Sequence, residues 1–216
     1  MTATLGCLLA LLDVPAGTLL AQEHANVPGD FDYYVLSLSW SPSFCATAHG
    51  AVGEPQCGRR PYSFVVHGLW PQYEKGFPEN CEVPAPRLDH RIVDGMLDLM
   101  PAPQLVYHEW DTHGTCSGLA ARDYFELIRK AREKVAIPPE YDNPQTPLKV
   151  APQDVIASFI NANPGLTRAG ITIDCDRTRL REVRICLARD LSFRDCSGQR
   201  PACRSPSVLM PPAREP

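Results

Sequence analysis

Phe64-Val65-Val66-His67-Gly68-Leu69-Trp70-Pro71 sets a short apolar run directly against a histidine, a glycine, a tryptophan and a proline. Alternation over residues 63–67 predicts a strand, with Val65 and His67 on one face and Phe64 and Val66 on the other. Gly68 and Pro71 are expected to close it. Outward from this stretch, Tyr33–Trp40 predicts a second strand in which Tyr34, Leu36, Leu38 and Trp40 face the core and Pro42 ends the element. Residues 123–135 predict a helix. Tyr124, Leu127, Ile128, Ala131 and Val135 form its apolar stripe, Asp123 and Glu126 have capping-box spacing, and Pro138-Pro139 stops it. Another helix is expected over residues 152–162, ended by Asn163-Pro164-Gly165. The last third changes period, and residues 171–174, 183–187 and 191–193 predict strands separated by polar turns. Strands mixed with irregularly placed helices indicate an α+β domain rather than a doubly wound parallel sheet.

With 216 residues the chain suits one domain with a full core. A net charge of −4 argues against a general nucleic-acid coat protein but leaves room for an enzyme that grips RNA locally. No stretch reaches the ~18 apolar residues of a membrane span, so no membrane partner is expected. Of nine cysteines, Cys7 lies in an apolar N-terminal stretch. The remaining eight form no CxxC pair, which reads as four disulfides and an exported protein, periplasmic or extracellular. Residues 1–25 are expected to be a signal or leader segment, although it lacks a basic region and Asp13 interrupts its apolar run. Residues 26–204 are expected to form the catalytic domain. The Pro-rich stretch 205–216 is expected to be a mobile tail. The absence of a long exposed apolar stripe suggests a monomer.

The second chemical segment is His108-Glu109-Trp110-Asp111-Thr112-His113-Gly114-Thr115-Cys116. Two imidazoles suffice for a metal-free phosphodiester cleavage, one taking a proton from the attacking oxygen and one giving a proton to the leaving oxygen. The spacing is wrong for a zinc-peptidase reading of His108, Glu109 and His113, although a helix bulge could repair it, so a zinc hydrolase stays as a further alternative. Five residues at roughly 100° each put the two histidines about 140° apart on a helix. Glu109 and His113 are four apart, so on a helix they share a face, and the carboxylate would raise the imidazole's pKa. Asp111 reads as a solvated charge. Trp70 offers a flat face for a base or, equally, a core side chain.

His67-Gly68-Leu69-Trp70-Pro71 and His108-Glu109-Trp110-x-x-His113-Gly114-Thr115-Cys116 resemble, in order, the two active-site segments of the ribonuclease T2 family. The resemblance extends over residues 30–203. It implies an α+β fold with a central antiparallel sheet, surrounding helices and disulfide staples. It also implies metal- and cofactor-independent cleavage of single-stranded RNA with little base specificity, through a 2′,3′-cyclic phosphate. By position His113 resembles the general base, His67 the general acid, and Glu109 the carboxylate that supports transition-state charge. His108 resembles the phosphate-contacting histidine, while Trp70 and Gln72 fall where the family lines a base pocket. The resemblance further implies bridges Cys81–Cys116 and Cys45–Cys57, with two more among Cys175, Cys186, Cys196 and Cys203. One position departs from the pattern: Thr112 stands where the family has a lysine that would offset charge on the phosphorane. Arg59, Arg60 or Lys75 could supply a substitute cation. The alternative is a weakened or inactive RNA-binding protein on the same scaffold.

Overall fold

The computed structural model describes residues 26–47, 53–58, 60–197 and 203–213. The expected leader, Cys7 and Arg59 therefore lie outside the described residues. In chain order the helices and strands are β1 (Tyr33–Trp40), α1 (Ser41–Cys45), β2 (Phe64–Gln72), α2 (His90–Asp94), α3 (Pro103–Thr112), α4 (Ala121–Lys134), β3 (Leu148–Val150), α5 (Pro152–Ala162), β4 (Ile171–Cys175), β5 (Leu180–Leu187) and β6 (Val208–Met210).

Four strands form an antiparallel sheet in the order β2-β1-β5-β4. One face carries the core. Tyr34, Leu36, Leu38 and Trp40 of β1 join Val183, Ile185 and Leu187 of β5 in one cluster with Tyr124 and Ile128 of α4 and Phe159 of α5. The opposite face of β1 is buried too, in a smaller cluster of Tyr33, Val35 and Cys186 packed by Trp70 and Cys196. The fold is thus α+β, as expected.

β2 differs from its expected extent. It does not close at Gly68 but runs to Gln72, as an edge strand on which Pro71 can lack its ladder donor. Its register shifts by one residue: Ser37 pairs with Gly68 and Leu38 with Val66. His67 is therefore the extra residue of a β-bulge, a device that re-aims a side chain.

α5 has its expected bounds. α4 starts two residues earlier than the spacing suggested. Its N-cap is Ala120 with no side-chain cap, and Asp123 sits inside the first turn, near the helix's positive end, so the capping-box reading is corrected. Residues 191–193 form no strand. Leu191 takes a positive φ of 66°, and only an isolated bridge joins Leu187 to Phe193. The mobile-tail expectation for 205–216 also needs correction. Within it, β6 pairs with β3, Val208 and Met210 are buried, and the Trp40 indole donates to the Pro211 carbonyl at 3.0 Å. Three apolar residues between prolines are too short a run for a periodicity argument, yet long enough to add a strand.

Four disulfides join Cys45 to Cys57, Cys81 to Cys116, Cys175 to Cys203 and Cys186 to Cys196. The first two pairs are those the resemblance implied. Among the described residues no helix is long and apolar enough to cross a membrane.

Candidate active site

The bulge in β2 and the end of α3 meet over the second face of the sheet. α3 stops at Thr112, and His113 is its C-cap with φ −117°. Three contacts fix this end. The Asn80 amide donates to the Thr112 carbonyl at 2.8 Å, Cys116 is bridged to Cys81, and the Gly29 amide donates to the Cys116 carbonyl at 2.9 Å. β2 is tied to the same region because the buried Tyr124 hydroxyl donates to the Leu69 carbonyl at 2.9 Å.

Trp70 is the hub between the two segments. Its ring centroid lies 5.3 Å from that of His67 and 5.4 Å from that of His113. Its indole N–H donates to Glu109 Oε2 at 2.8 Å. Glu109 is buried, with Oε1 3.6 Å from His67 Nε2 and no hydrogen-bond partner among the described residues. His108 is exposed, 6.3 Å from His113 between ring centroids. Thr112 turns its hydroxyl toward His108 Nδ1 at 3.4 Å. Asp111 is exposed.

Of the expected site residues, the structure brings His67, Trp70, His108, Glu109 and His113 together. Gln72, on the same face of β2 as Trp70, is buried at the strand's end opposite Tyr33, with its amide donating to the Pro71 carbonyl.

Glu109 approaches His67, not its helical neighbour His113, as its charged partner. His113 is the helix C-cap, its amide still donating to the Glu109 carbonyl at 3.1 Å, while the Trp70 indole draws the Glu109 carboxylate toward β2. The same cap removes the angular objection to a metal. Ligand atoms of His108, Glu109 and His113 lie within 4.8 Å of one another.

Sequence reasoning missed two residues. Glu182 Oε1 lies 2.6 Å from His67 Nδ1, and Glu182 Oε2 accepts two hydrogen bonds from Arg184, at 2.9 and 2.7 Å. The Arg184 guanidinium also sits over the Trp70 ring, 5.2 Å from its centroid. The alternation of Val183, Ile185 and Leu187 does put Glu182 and Arg184 on one face. Nothing in the sequence shows that this face meets a histidine 115 residues away.

The environments push the two imidazoles in opposite directions. Burial lowers His113 to about 4, helped by His108 and His67. Burial also works against a charged His67, but the hydrogen bond and charge of Glu182, with the charge of Glu109, outweigh it and the opposition of Arg184, so His67 is raised. Burial raises Glu109 to about 7, against the charge of His67 and the Trp70 hydrogen bond. Burial opposes the charged form of Glu182 as well, but His67 and Arg184 together hold it down at about 2.

The ribonuclease T2 family model matches residues 31–196. A ribonuclease of Aeromonas hydrophila is 36% identical over 215 residues, covering 94% of this chain and 95% of that protein. A probable ribonuclease of Haemophilus influenzae is 27% identical, covering 81% of this chain and 64% of its own length. Among solved structures, RNase NT in complex with 5′-AMP superposes with a TM-score of 0.68 at 26% identity, over 85% of this chain and 99% of that one. An RNase-related protein from Calystegia sepium shares the fold, with a TM-score of 0.69 at 20% identity over 85% of this chain and 98% of that one. Fold and family agree: the chain belongs to the ribonuclease T2 family and, with it, to the endoribonucleases.

Proposed function

We propose that the chain cleaves single-stranded RNA, with low base specificity and without a metal ion, by two-histidine transphosphorylation. The observation that carries this reading is the pair of imidazoles flanking Trp70 with opposed proton affinities. Divergent environments of this kind mark an acid and a base. His113, neutral above about pH 4, takes the 2′-hydroxyl proton as the 2′ oxygen attacks phosphorus. The bond from phosphorus to the 5′ oxygen breaks, and protonated His67 gives that oxygen its proton from Nε2. Hydrolysis of the 2′,3′-cyclic product runs the two roles in reverse. Glu109 is mostly a neutral acid below about pH 7. Since Oε2 accepts from Trp70, its proton belongs on Oε1, where it can be donated to a phosphoryl oxygen as charge builds there. Exposed His108 contacts the phosphate, and Trp70 forms the wall against which the nucleotide lies. DNA is spared because it lacks the attacking hydroxyl.

The test is cleavage of RNA in EDTA with 2′,3′-cyclic ends as product. The pH profile follows from the roles. Activity should rise through about pH 4 as His113 loses its proton. It should fall above pH 6.5, as His67, raised from that ordinary value, loses its own and as Glu109 ionises through about pH 7. Loss of cleavage in EDTA would turn the reading toward a metal held by His108, Glu109 and His113. Intact RNA binding without cleavage would favour the inactive scaffold.

Thr112 bears on the same choice. A hydroxyl donates a hydrogen bond but brings no charge, and removing one such stabilising group costs on the order of 10²–10³ in rate. Of the cations named above, Arg60 sits over Tyr62 and Lys75 is exposed; the structure adds Arg184, whose charge is shared with Glu182. Thr112→Lys should therefore raise kcat, by roughly 10-fold or more if the site accepts the lysine. An unchanged kcat would show that charge at this position does not limit the reaction.

The four disulfides support export to the periplasm or the medium, and cell fractionation would check it. We take the enzyme to act as a monomer.

A further inference from the structure

We propose that Glu182 is a positioning residue for His67: its carboxylate accepts a hydrogen bond from Nδ1–H, so that the ring can present only Nε2–H to the leaving oxygen. The inference rests on the reading of His67 as the general acid.

Glu182 lies in the middle of β5, 5% exposed. A buried carboxylate is costly unless its oxygens are satisfied, and here both are. Oε1 faces His67 Nδ1 at 2.6 Å and is approached by the Ser39 hydroxyl at 3.4 Å, while Oε2 takes the fork of Arg184. An ionised carboxylate only accepts hydrogen bonds, so Nδ1 must be the donor. That fixes ring orientation and tautomer together. The other ring nitrogen then faces Glu109 Oε1.

Among the described residues, Glu109 from α3, His113 at the end of α3, and Glu182 and Arg184 from β5 face His67, while Glu54 and His108 line a groove on one side of it. Asp176 and Arg181 line the groove beside it. In acid Glu109 takes up a proton and ceases to attract the imidazolium, whereas Glu182 stays ionised down to about pH 2. Glu182 is thus the carboxylate that keeps His67 charged across the working range. Were Glu182 there only to anchor Arg184, nothing would require its other oxygen to meet an imidazole.

The experiment compares Glu182→Gln with the wild-type enzyme on two substrates: RNA, and a ribonucleoside 3′-aryl phosphodiester whose leaving group departs without a proton. The expected result is a roughly 10- to 100-fold lower kcat on RNA, the scale of outer-shell partners. The alkaline limb of the RNA profile should move to lower pH, with little change on the aryl ester. Equal losses on both substrates, or an unmoved alkaline limb, would overturn the proposal. His67→Ala serves as reference. If it too fails to spare the aryl ester, the general-acid reading itself falls. If it spares the ester and Glu182→Gln does not, only the role of Glu182 falls. Should Glu182→Gln not fold, ¹⁵N NMR of wild-type His67 decides: the neutral ring should carry its proton on Nδ1, and a proton on Nε2 would refute the assignment.

Discussion

His113→Ala should lower kcat on RNA by about 10²–10⁴-fold, the range a positioned general base contributes, while leaving the melting temperature close to wild type. The two halves of this expectation have separate causes. In the proposed reaction the loss falls on chemistry, because neither Glu109 nor His67 is in the form that takes the 2′-hydroxyl proton and His108 serves the phosphate. Glu109 is mostly protonated below about pH 7, and Glu182 holds His67 toward its charged form. Stability is spared because His113 contributes little to the fold. Its buried Nδ1 has no hydrogen-bond partner among the described residues, so deletion orphans no donor or acceptor. The backbone bonds that fix this turn, from Asn80 to Thr112 and from Gly29 to Cys116, do not involve the ring. A base is needed whatever the leaving group, so the variant should fail on RNA and on an aryl phosphodiester alike. His67→Ala should fail mainly on RNA, and it should also lose stability, because it strips buried Glu182 of one partner. Steady-state kinetics on both substrates and thermal unfolding check the pair. A His113→Ala enzyme within a few-fold of wild type on RNA would remove this histidine from the mechanism.

The parts of the molecule that were legible in the sequence are those governed by local periodicity. β1 and α5 appear with their expected bounds because each carries an unbroken apolar pattern ending in a proline or an Asn-Pro-Gly stop. β2 was read short for a physical reason. Its core-facing residues are Phe64 and Val66 before the bulge, then Leu69 and Pro71 after it, so the period of two breaks at the histidine. Read as one strand with an extra residue at 67, the same pattern is continuous. The histidines, Glu109 and Trp70 were legible as residue types in two motifs, but their pairing was not. Which imidazole Glu109 approaches depends on where α3 ends, and that end is set by contacts from Asn80 and Cys81, distant in sequence. Glu182 lay beyond local reading altogether. A glutamate on a strand ordinarily faces water, and only the sheet order, with β1 between β5 and β2, turns this one toward His67.

Gly68→Ala should be the most damaging single-methyl change in the site. The bulge at His67 puts Gly68 opposite Ser37, where the Glu109 side chain of α3 reaches over it. A Cβ there would lie 2.4 Å from Trp70 Nε1 and closer still to Glu109 Oε2. Neither neighbour can give way cheaply. Glu109 is buried at the end of its hydrogen bond from Trp70, and Trp70 is held between both histidines and Arg184. The methyl group must therefore push α3 off β2 or break the bond between Trp70 and Glu109. Overpacking of this kind costs about 1–3 kcal/mol. The cost to turnover should be larger, because separating the two segments separates the acid from the base, and a misplacement of about 1 Å can cost 10²-fold. The backbone itself raises no objection to alanine, since Gly68 is not among the positive-φ glycines. The penalty is thus one of space. That makes a compensating change informative: Glu109→Ala in the Gly68→Ala background should recover part of the stability, because it removes one of the two clashes and frees the Trp70 indole from its bond to Glu109, without recovering activity, because the buried acid is gone. A double variant no more stable than Gly68→Ala would show that the close approach of β2 to α3 does not depend on the bare backbone at this glycine.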